Sequence, residues 1–213
     1  MKYKLVIFDF DGTLADSFDW FLGVVDELAA KHKFQTFNRA ELDELRGSSA
    51  TKVLSKLGVS RWRLPAIGRH LQTLASRDAD KISLFNGVDR MLADLVASGV
   101  TVAIVSSSVE SNIRRILGSK NVARVAHFEC GASLFGKRTK LRKVLRKCGV
   151  SAGDALCVGD EVRDIEAAKA EGIPFGAVGW GFTHLRALRE CEPEEVFATV
   201  GEISAAVSGK RVK

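Results

Sequence analysis

Two aspartates follow a short apolar run near the N-terminus of this 213-residue chain. Residues 5–10 are rich in branched and aromatic side chains, and Asp9 and Asp11 stand at the end of that run. Side chains two positions apart in a strand point to the same side, so the two carboxylates repel each other unless a cation or a shared proton intervenes. Oxygen ligands favour Mg²⁺, and the pair therefore predicts a divalent-metal site, with Gly12 allowing a sharp turn beside it.

A second acidic group follows the apolar run 155–158. There Asp160 and Asp164 lie one helical turn apart at the start of a predicted helix, with Glu161 between them. Acidic residues in this position can simply interact with the positive end of the helix dipole, and this alternative stays open. With the first pair, however, they bring four or five carboxylates to one sheet edge, which favours a metal site.

Hydroxyl and ammonium groups that could bind an anion occur at two further places. Ser106, Ser107 and Ser108 follow the apolar run 100–105 and precede a helix, where hydroxyls and free N–H groups form an anion site. The same serines could serve only as solvated cap residues. Lys137 stands at a loop-to-helix junction, where a fixed cation offsets the carboxylates and binds negative charge in a transition state.

The elements that must position these residues alternate between helix and strand. Apolar runs of the kind found in doubly buried strands occur at residues 5–10, 100–105, 155–158 and 175–178, and helical patterns at 87–98, 137–148 and 161–171. This alternation predicts a parallel α/β sheet with right-handed crossovers. Ligands of such sheets bind beyond the carboxyl ends of the strands, where the acids and serines stand.

Residues 15–84 depart from this alternation. They show no convincing strand and only helical patterns, at 18–33, 39–46, 49–57 and 64–78. We therefore expect a core domain of residues 1–14 and 85–213, interrupted by a helical cap domain of residues 15–84. The alternative is that these helices cover one face of the sheet.

These pieces resemble a known family. Phe8-Asp9-Phe10-Asp11-Gly12-Thr13-Leu14 matches the D-x-D-G-T-L signature of the haloacid-dehalogenase-like hydrolases. Ser106, Lys137 and Gly159-Asp160…Asp164 look like the second, third and fourth motifs of that family, in order. The helical insert looks like its first-type cap, as in phosphoglycolate-phosphatase-like members. The resemblance implies a Rossmann-like, three-layer parallel-sheet core with an inserted all-α cap.

The resemblance also implies roles in phosphoryl transfer. By analogy, Asp9 is the nucleophile that attacks phosphorus and becomes an aspartyl phosphate. Asp11 protonates the leaving alcohol and then accepts the proton of the attacking water. Ser106, Ser107 and Lys137 hold the phosphoryl oxygens. An acid at position 11 argues against a true dehalogenase, which needs neither that acid nor a metal.

The implied cofactor is Mg²⁺. It would be held by a carboxylate oxygen of Asp9, the backbone carbonyl of Asp11, and Asp160, with Asp164 binding directly or through water. Arg46 lies between two predicted cap helices, where similar enzymes carry a specificity loop, and is a candidate for contacting the substrate. An exposed arginine at a helix end is the alternative.

The predicted function is that of a Mg²⁺-dependent phosphatase acting on a small phosphomonoester, phosphoglycolate-like or a sugar phosphate. A phosphomutase of the same superfamily uses the same residues and is the nearest alternative. In a different class, the basic stretch 137–147 could bind nucleic acid or another polyanion, although it lacks interleaved aromatic residues.

Composition is compatible with a small anionic partner. Lys and Arg exceed Asp and Glu by 32 to 26, a formal net charge of +6. The four cysteines are widely spaced, which favours reduced core residues over a disulfide or zinc site. The apolar run after Lys4 is too short for a signal peptide, and no stretch approaches a membrane span. We expect a cytoplasmic monomer or homodimer that acts on a small phosphorylated metabolite.

Overall fold

The computed structural model describes residues 2–48, 50–131 and 136–209. Its strands are β1 (Leu5–Phe8), β2 (Ala15–Asp16), β3 (Ser83–Leu84), β4 (Thr101–Val105), β5 (His127–Glu129), β6 (Ala155–Gly159), β7 (Phe175–Val178) and β8 (Glu195–Phe197). Its α-helices are α1 (Phe18–His32), α2 (Arg39–Arg46), α3 (Ala50–Lys56), α4 (Leu64–Arg77), α5 (Val88–Ala97), α6 (Glu110–Val122), α7 (Lys137–Cys148), α8 (Val162–Lys169), α9 (Leu185–Arg189) and α10 (Val200–Ser208).

Six parallel strands form the central sheet, in the order β5-β4-β1-β6-β7-β8. β1 lies between β4 and β6, with Leu5 opposite Thr101 on one side and Ala155 on the other. The chain extends the sheet on the β4 side first and then crosses to β6, so the strand order reverses beside β1. Such a switch point is where ligands bind in open α/β sheets.

Helices cover both faces of this sheet. Leu92 of α5, Ile113 of α6 and Ile203 of α10 belong to the apolar cluster on one face. Leu141 of α7 and Ile165 of α8 belong to the cluster on the other face. Because both faces are buried, the inner strands are almost entirely apolar, as is typical of parallel sheets. The predicted three-layer α/β fold is confirmed.

Helices α1–α4 lie between two very short strands. β2 and β3 pair in antiparallel fashion, Ala15 with Leu84 and Asp16 with Ser83, so the chain leaves and re-enters the core at adjacent points. The sequence predicted no strand here, because two residues are too few for any periodicity to show. Between β2 and β3 the insert has an apolar cluster of its own, in which α1 packs on α4. The domain division at residues 14/15 and 84/85 stays a prediction.

Two edge regions of the main sheet were also missing from the prediction. β5 and β8 are three residues each and only partly buried, so neither produces a continuous apolar run. β1 ends at Phe8, two residues earlier than predicted, which leaves Asp9 and Asp11 beyond the end of the strand. None of the helices within the described ranges combines the length and apolar character that crossing a membrane requires.

Candidate active site

The carboxyl ends of the three central strands bring the predicted residues together. Asp9 follows β1, Ser106 follows β4, and Asp160 follows β6. The backbone N–H of Asp9 donates to the carbonyl of Val158, so sheet pairing continues one residue past β1 and fixes where the aspartate leaves the sheet. Lys137, the first residue of α7, approaches from one face.

The Lys137 ammonium is shared between two buried carboxylates. Its Nζ lies 2.9 Å from Oδ1 of Asp9 and 2.6 Å from Oδ1 of Asp164. Burial alone would lower the pKa of Lys137, but Asp164 and Asp9 raise it above its usual value. Lys137 therefore places a positive charge beside Asp9.

Three carboxylates form a compact group that suits a divalent cation. Asp9, Asp160 and Asp164 each offer an oxygen within 4.8 Å of the others, and all three are buried. Burial raises the pKa of Asp9 to about 7 and that of Asp160 well above its usual value, and mutual repulsion adds to the effect at both residues. Since hard oxygen ligands and excess negative charge are what Mg²⁺ requires, this donor set fits the ion.

Asp160 is held on both carboxylate oxygens. The Thr13 hydroxyl donates to Oδ1 at 2.8 Å, and the backbone N–H of Phe182 donates to Oδ2 at 2.7 Å. Two glycines pack against the same carboxyl group. A Cβ on Gly12 would lie 2.3 Å from Oδ2, and one on Gly181 would lie 2.1 Å from the Asp160 Cβ. Both positions therefore need glycine for close approach, and Gly12 also has a φ of +75°.

Asp11 lies outside the group of three carboxylates found among the described residues. Its Oδ2 accepts a hydrogen bond of 2.6 Å from the Ser108 hydroxyl. Burial raises the pKa of Asp11, and the hydrogen bond from Ser108 opposes that rise. A carboxyl group with a raised pKa is suited to proton transfer. The expected metal contact of Asp11 is through its backbone carbonyl and stays a prediction.

A small pocket opens beside Asp9. It is lined by Asp9, Val105, Ser106, Ser107, Lys137, Lys140 and Arg163. The structure thus places both predicted phosphate-binding serines next to Asp9 and Lys137. The Ser106 hydroxyl accepts from the backbone N–H of Ser108 at 3.0 Å, which orders the loop after β4.

Lys140 and Arg163 were not predicted as site residues. Lys140 Nζ donates to the carbonyls of Ser106 and Gly131, both at 2.7 Å, and so joins the loop after β4 to Gly131, which lies just past β5. Arg163 pairs with Glu161 at 2.5 Å, while its Nε has no hydrogen-bond partner among the residues that the structure describes. The sequence could have indicated Lys140, because it lies three residues after Lys137 and this spacing places both side chains on one side of α7.

Arg46 is engaged by the core of the protein rather than by solvent. Its Nε donates to the carbonyl of Phe182 at 3.0 Å, and its Nη2 donates to the carbonyl of Gly181 at 2.8 Å. The guanidinium also lies 4.7 Å from the centre of the Phe18 ring. Nothing in the sequence indicated these partners, because two of the three are backbone carbonyls. Contact of Arg46 with a substrate stays a prediction.

Most of the positive charge on α7 is balanced within the fold. Arg138 and Arg142 pair with Glu171, and Lys143 and Lys147 pair with Glu129. With Lys137 and Lys140 bound at the site, six of the seven basic side chains between residues 137 and 147 have partners within the described part of the chain. This internal pairing weakens the polyanion-binding alternative.

The fold and site define a class of protein. It is a parallel α/β protein in which acids at the strand ends suit a divalent cation, and the neighbouring hydroxyl and ammonium groups suit an anion. The chain belongs to the haloacid dehalogenase-like hydrolase family, whose model matches residues 6–178. The family predicted from the motif around Asp9 is thereby confirmed.

Known proteins resemble the chain over nearly its whole length. It is 28% identical to the phosphoglycolate phosphatase of Synechococcus elongatus over 206 residues, which cover 96% of this chain and 97% of that protein. It is 32% identical over 188 residues to the tyrosine-protein kinase PtkA of Mycobacterium tuberculosis, covering 84% of this chain but only 63% of PtkA. A haloacid dehalogenase-like family hydrolase from Streptococcus pneumoniae has a similar structure, with a TM-score of 0.78, 16% identity and coverage of 96% and 98%.

Proposed function

We propose that the protein is a Mg²⁺-dependent phosphatase that hydrolyses a small phosphomonoester through an aspartyl-phosphate intermediate. The observation that carries the proposal is the contact of Lys137 Nζ with Asp9 at 2.9 Å, in the same group of buried carboxylates as Asp160 and Asp164. The similarity to a phosphoglycolate phosphatase over 96% of the chain supports the substrate class, a small acid or sugar that carries one phosphate.

The reaction has two displacements at phosphorus. An Asp9 carboxylate oxygen attacks, the bond from phosphorus to the ester oxygen breaks, and the leaving oxygen takes the proton of Asp11. Water then attacks the aspartyl phosphate and gives a proton to Asp11, which releases inorganic phosphate and regenerates Asp9. Lys137 favours the ionised, nucleophilic form of Asp9, and burial raises the pKa of Asp11, which favours the protonated form that a general acid needs.

Asp9, Asp160 and the backbone carbonyl of Asp11 would hold Mg²⁺, with Asp164 binding directly or through water. When bound, the ion offsets the repulsion between the carboxylates and the incoming phosphate ester. The protein keeps Asp160 in place through Thr13 and the N–H of Phe182.

Ser106, Ser107 and Lys137 would hold the oxygens of the transferring phosphoryl group. All three line the pocket beside Asp9, and Lys140 fixes the loop that carries the serines by binding the Ser106 carbonyl. Donors fixed before the reaction stabilise developing charge without reorganisation. The helical insert would act as a cap that excludes water and reads the leaving group, with Arg46 as the candidate contact.

The test is release of inorganic phosphate from a panel of phosphorylated metabolites, with and without Mg²⁺. Asp9→Asn should lower kcat/KM at least about a thousandfold, because the substituted side chain cannot form the intermediate. Asp19→Asn, on the exposed side of α1, is the matched control and should leave the rate unchanged. Substantial turnover by Asp9→Asn, or turnover indifferent to Mg²⁺, contradicts the mechanism.

The same panel of substrates distinguishes a phosphatase from a phosphomutase. A mutase would convert a substrate into its positional isomer with little release of inorganic phosphate, whereas the proposed phosphatase releases it stoichiometrically. Phosphorus NMR of the product mixture separates the two results.

A further inference from the structure

We infer that Arg46 is a positioning residue that couples the docking of helix α2 to the affinity of Asp160 for a divalent cation. The link runs through the single peptide group between Gly181 and Phe182. The inference rests on the proposed function in one respect, which is that Asp160 binds Mg²⁺.

The first half of the link is the pair of hydrogen bonds that Arg46 donates to the core. Its guanidinium donates to two successive carbonyls, Gly181 at 2.8 Å and Phe182 at 3.0 Å, and lies over the ring of Phe18 from α1. Hydrogen bonds from a charged donor are stronger than neutral ones, and the planar fork of arginine fixes their direction. Lysine carries the same charge but cannot bind both carbonyls in this geometry.

The second half is the contact of the same peptide with the candidate metal ligand. The N–H of Phe182 donates to Oδ2 of Asp160 at 2.7 Å. This N–H and the Gly181 carbonyl belong to one planar peptide unit, so fixing the carbonyl oxygen also fixes the direction of the N–H. A carbonyl that accepts from a cation also polarises its own N–H, which strengthens the bond to the carboxylate.

Packing leaves the peptide little freedom to adjust. The Phe182 ring centre lies 5.2 Å from that of Phe18 and 6.1 Å from that of Phe21, both on α1. On the other side, Gly181 approaches Asp160 so closely that no side chain fits between them. The peptide is therefore held between the insert and the Asp160 carboxyl group, and a change at Arg46 reaches Asp160 through it.

The coupling must act in both directions. If a docked α2 raises the affinity of Asp160 for the cation, the bound cation must stabilise the docked α2 by the same free energy. Arg46 would then act on the metal site before any substrate binds, which separates this role from a contact with the substrate.

The experiment is isothermal titration of the substrate-free protein with Mg²⁺. We expect Arg46→Gln to weaken Mg²⁺ binding about tenfold, within the usual range of coupling between sites, and Arg46→Lys to give an intermediate loss. Lys56→Gln is the matched control, because Lys56 also lies in the insert but pairs with Glu44 at 3.0 Å rather than with the core. It should bind Mg²⁺ as the wild type does, and Asp160→Asn should abolish the binding.

The outcomes separate the two proposals. If the wild type binds Mg²⁺ and Arg46→Gln binds it equally well while remaining folded by circular dichroism, the coupling is overturned and the proposed function stands. If the wild type does not bind Mg²⁺, the metal in the proposed function is refuted and this inference with it. An effect of Arg46→Gln on KM alone, with unchanged Mg²⁺ affinity, assigns Arg46 to the substrate and also overturns the coupling.

Discussion

The ammonium of Lys137 lies 2.6 Å from a carboxylate oxygen of Asp164, a residue 27 positions further along the chain. The same ammonium contacts Asp9, so one cation balances two buried acids at the centre of the site. Lys137 therefore contributes to the stability of the fold as well as to the proposed chemistry.

Removing Lys137 should destabilise the metal-free protein strongly. Lys137→Met leaves Asp9 and Asp164 without their shared cation, and loss of one partner from a buried pair costs about 3–5 kcal/mol. Urea unfolding in EDTA measures the change. Lys143→Met is the control on the same helix, because Glu129 keeps Lys147 as a partner, and it should cost less than about 1 kcal/mol. Equal costs for the two variants would contradict the shared-cation arrangement.

The hydroxyl of Ser108 should tune the proton transfer by Asp11. Its hydrogen bond of 2.6 Å lowers the pKa of Asp11, so Ser108→Ala should raise that pKa. Since Asp11 must be protonated to serve as the acid, the alkaline limb of the kcat/KM profile should move to higher pH. Ser107→Ala is the comparison and should lower kcat/KM without moving the limb. If the alkaline limb of the kcat/KM profile stays at the same pH in Ser108→Ala, Asp11 is excluded as the acid.

Asp160 should make the stability of the metal-free protein depend on pH. Because its pKa and that of Asp9 are raised on folding, the folded state binds more protons than the unfolded chain, and stability falls as pH rises from about 4 toward 7. Asp160→Asn should therefore gain stability relative to the wild type as pH rises in EDTA. Melting temperatures of both proteins across that range test this, and Mg²⁺ should reverse the order at neutral pH. A difference independent of pH would contradict the raised pKa of Asp160.

Gly181 should be intolerant of even the smallest side chain. In Gly181→Ala the new Cβ would lie 2.1 Å from the Asp160 Cβ, so the loop or the aspartate must move. We expect a loss of about 1–3 kcal/mol, as for overpacked cores, together with weaker Mg²⁺ binding. Gly201→Ala in α10 meets no atom within 4 Å and should be neutral or stabilising. Thermal unfolding of both variants measures the change in stability. An unchanged melting temperature for Gly181→Ala would contradict the close packing of Gly181 on Asp160.

Local patterns in the sequence determined the alternation of elements and the principal acids. The bounds of α7, Lys137–Cys148, follow from its apolar stripe and the glycines at its ends, and structure and sequence agree there residue for residue. The existence of β1 follows from the apolar run at residues 5–10, although the strand ends at Phe8, just before Asp9. These features are predictable because helix and strand periodicities repeat over a few residues, and because several acids at one sheet edge repel one another unless a cation is bound.

Only the tertiary structure decided which groups meet. It placed Asp164 rather than the Asp11 carboxylate beside Asp9 and Asp160, and it paired most of the α7 charges with Glu129 and Glu171. It also bound Arg46 to the Gly181 and Phe182 carbonyls, which every residue type carries. The two Arg46 contacts join positions more than a hundred residues apart through backbone carbonyls, so no local pattern encodes them. They form only because the insert packs on the core.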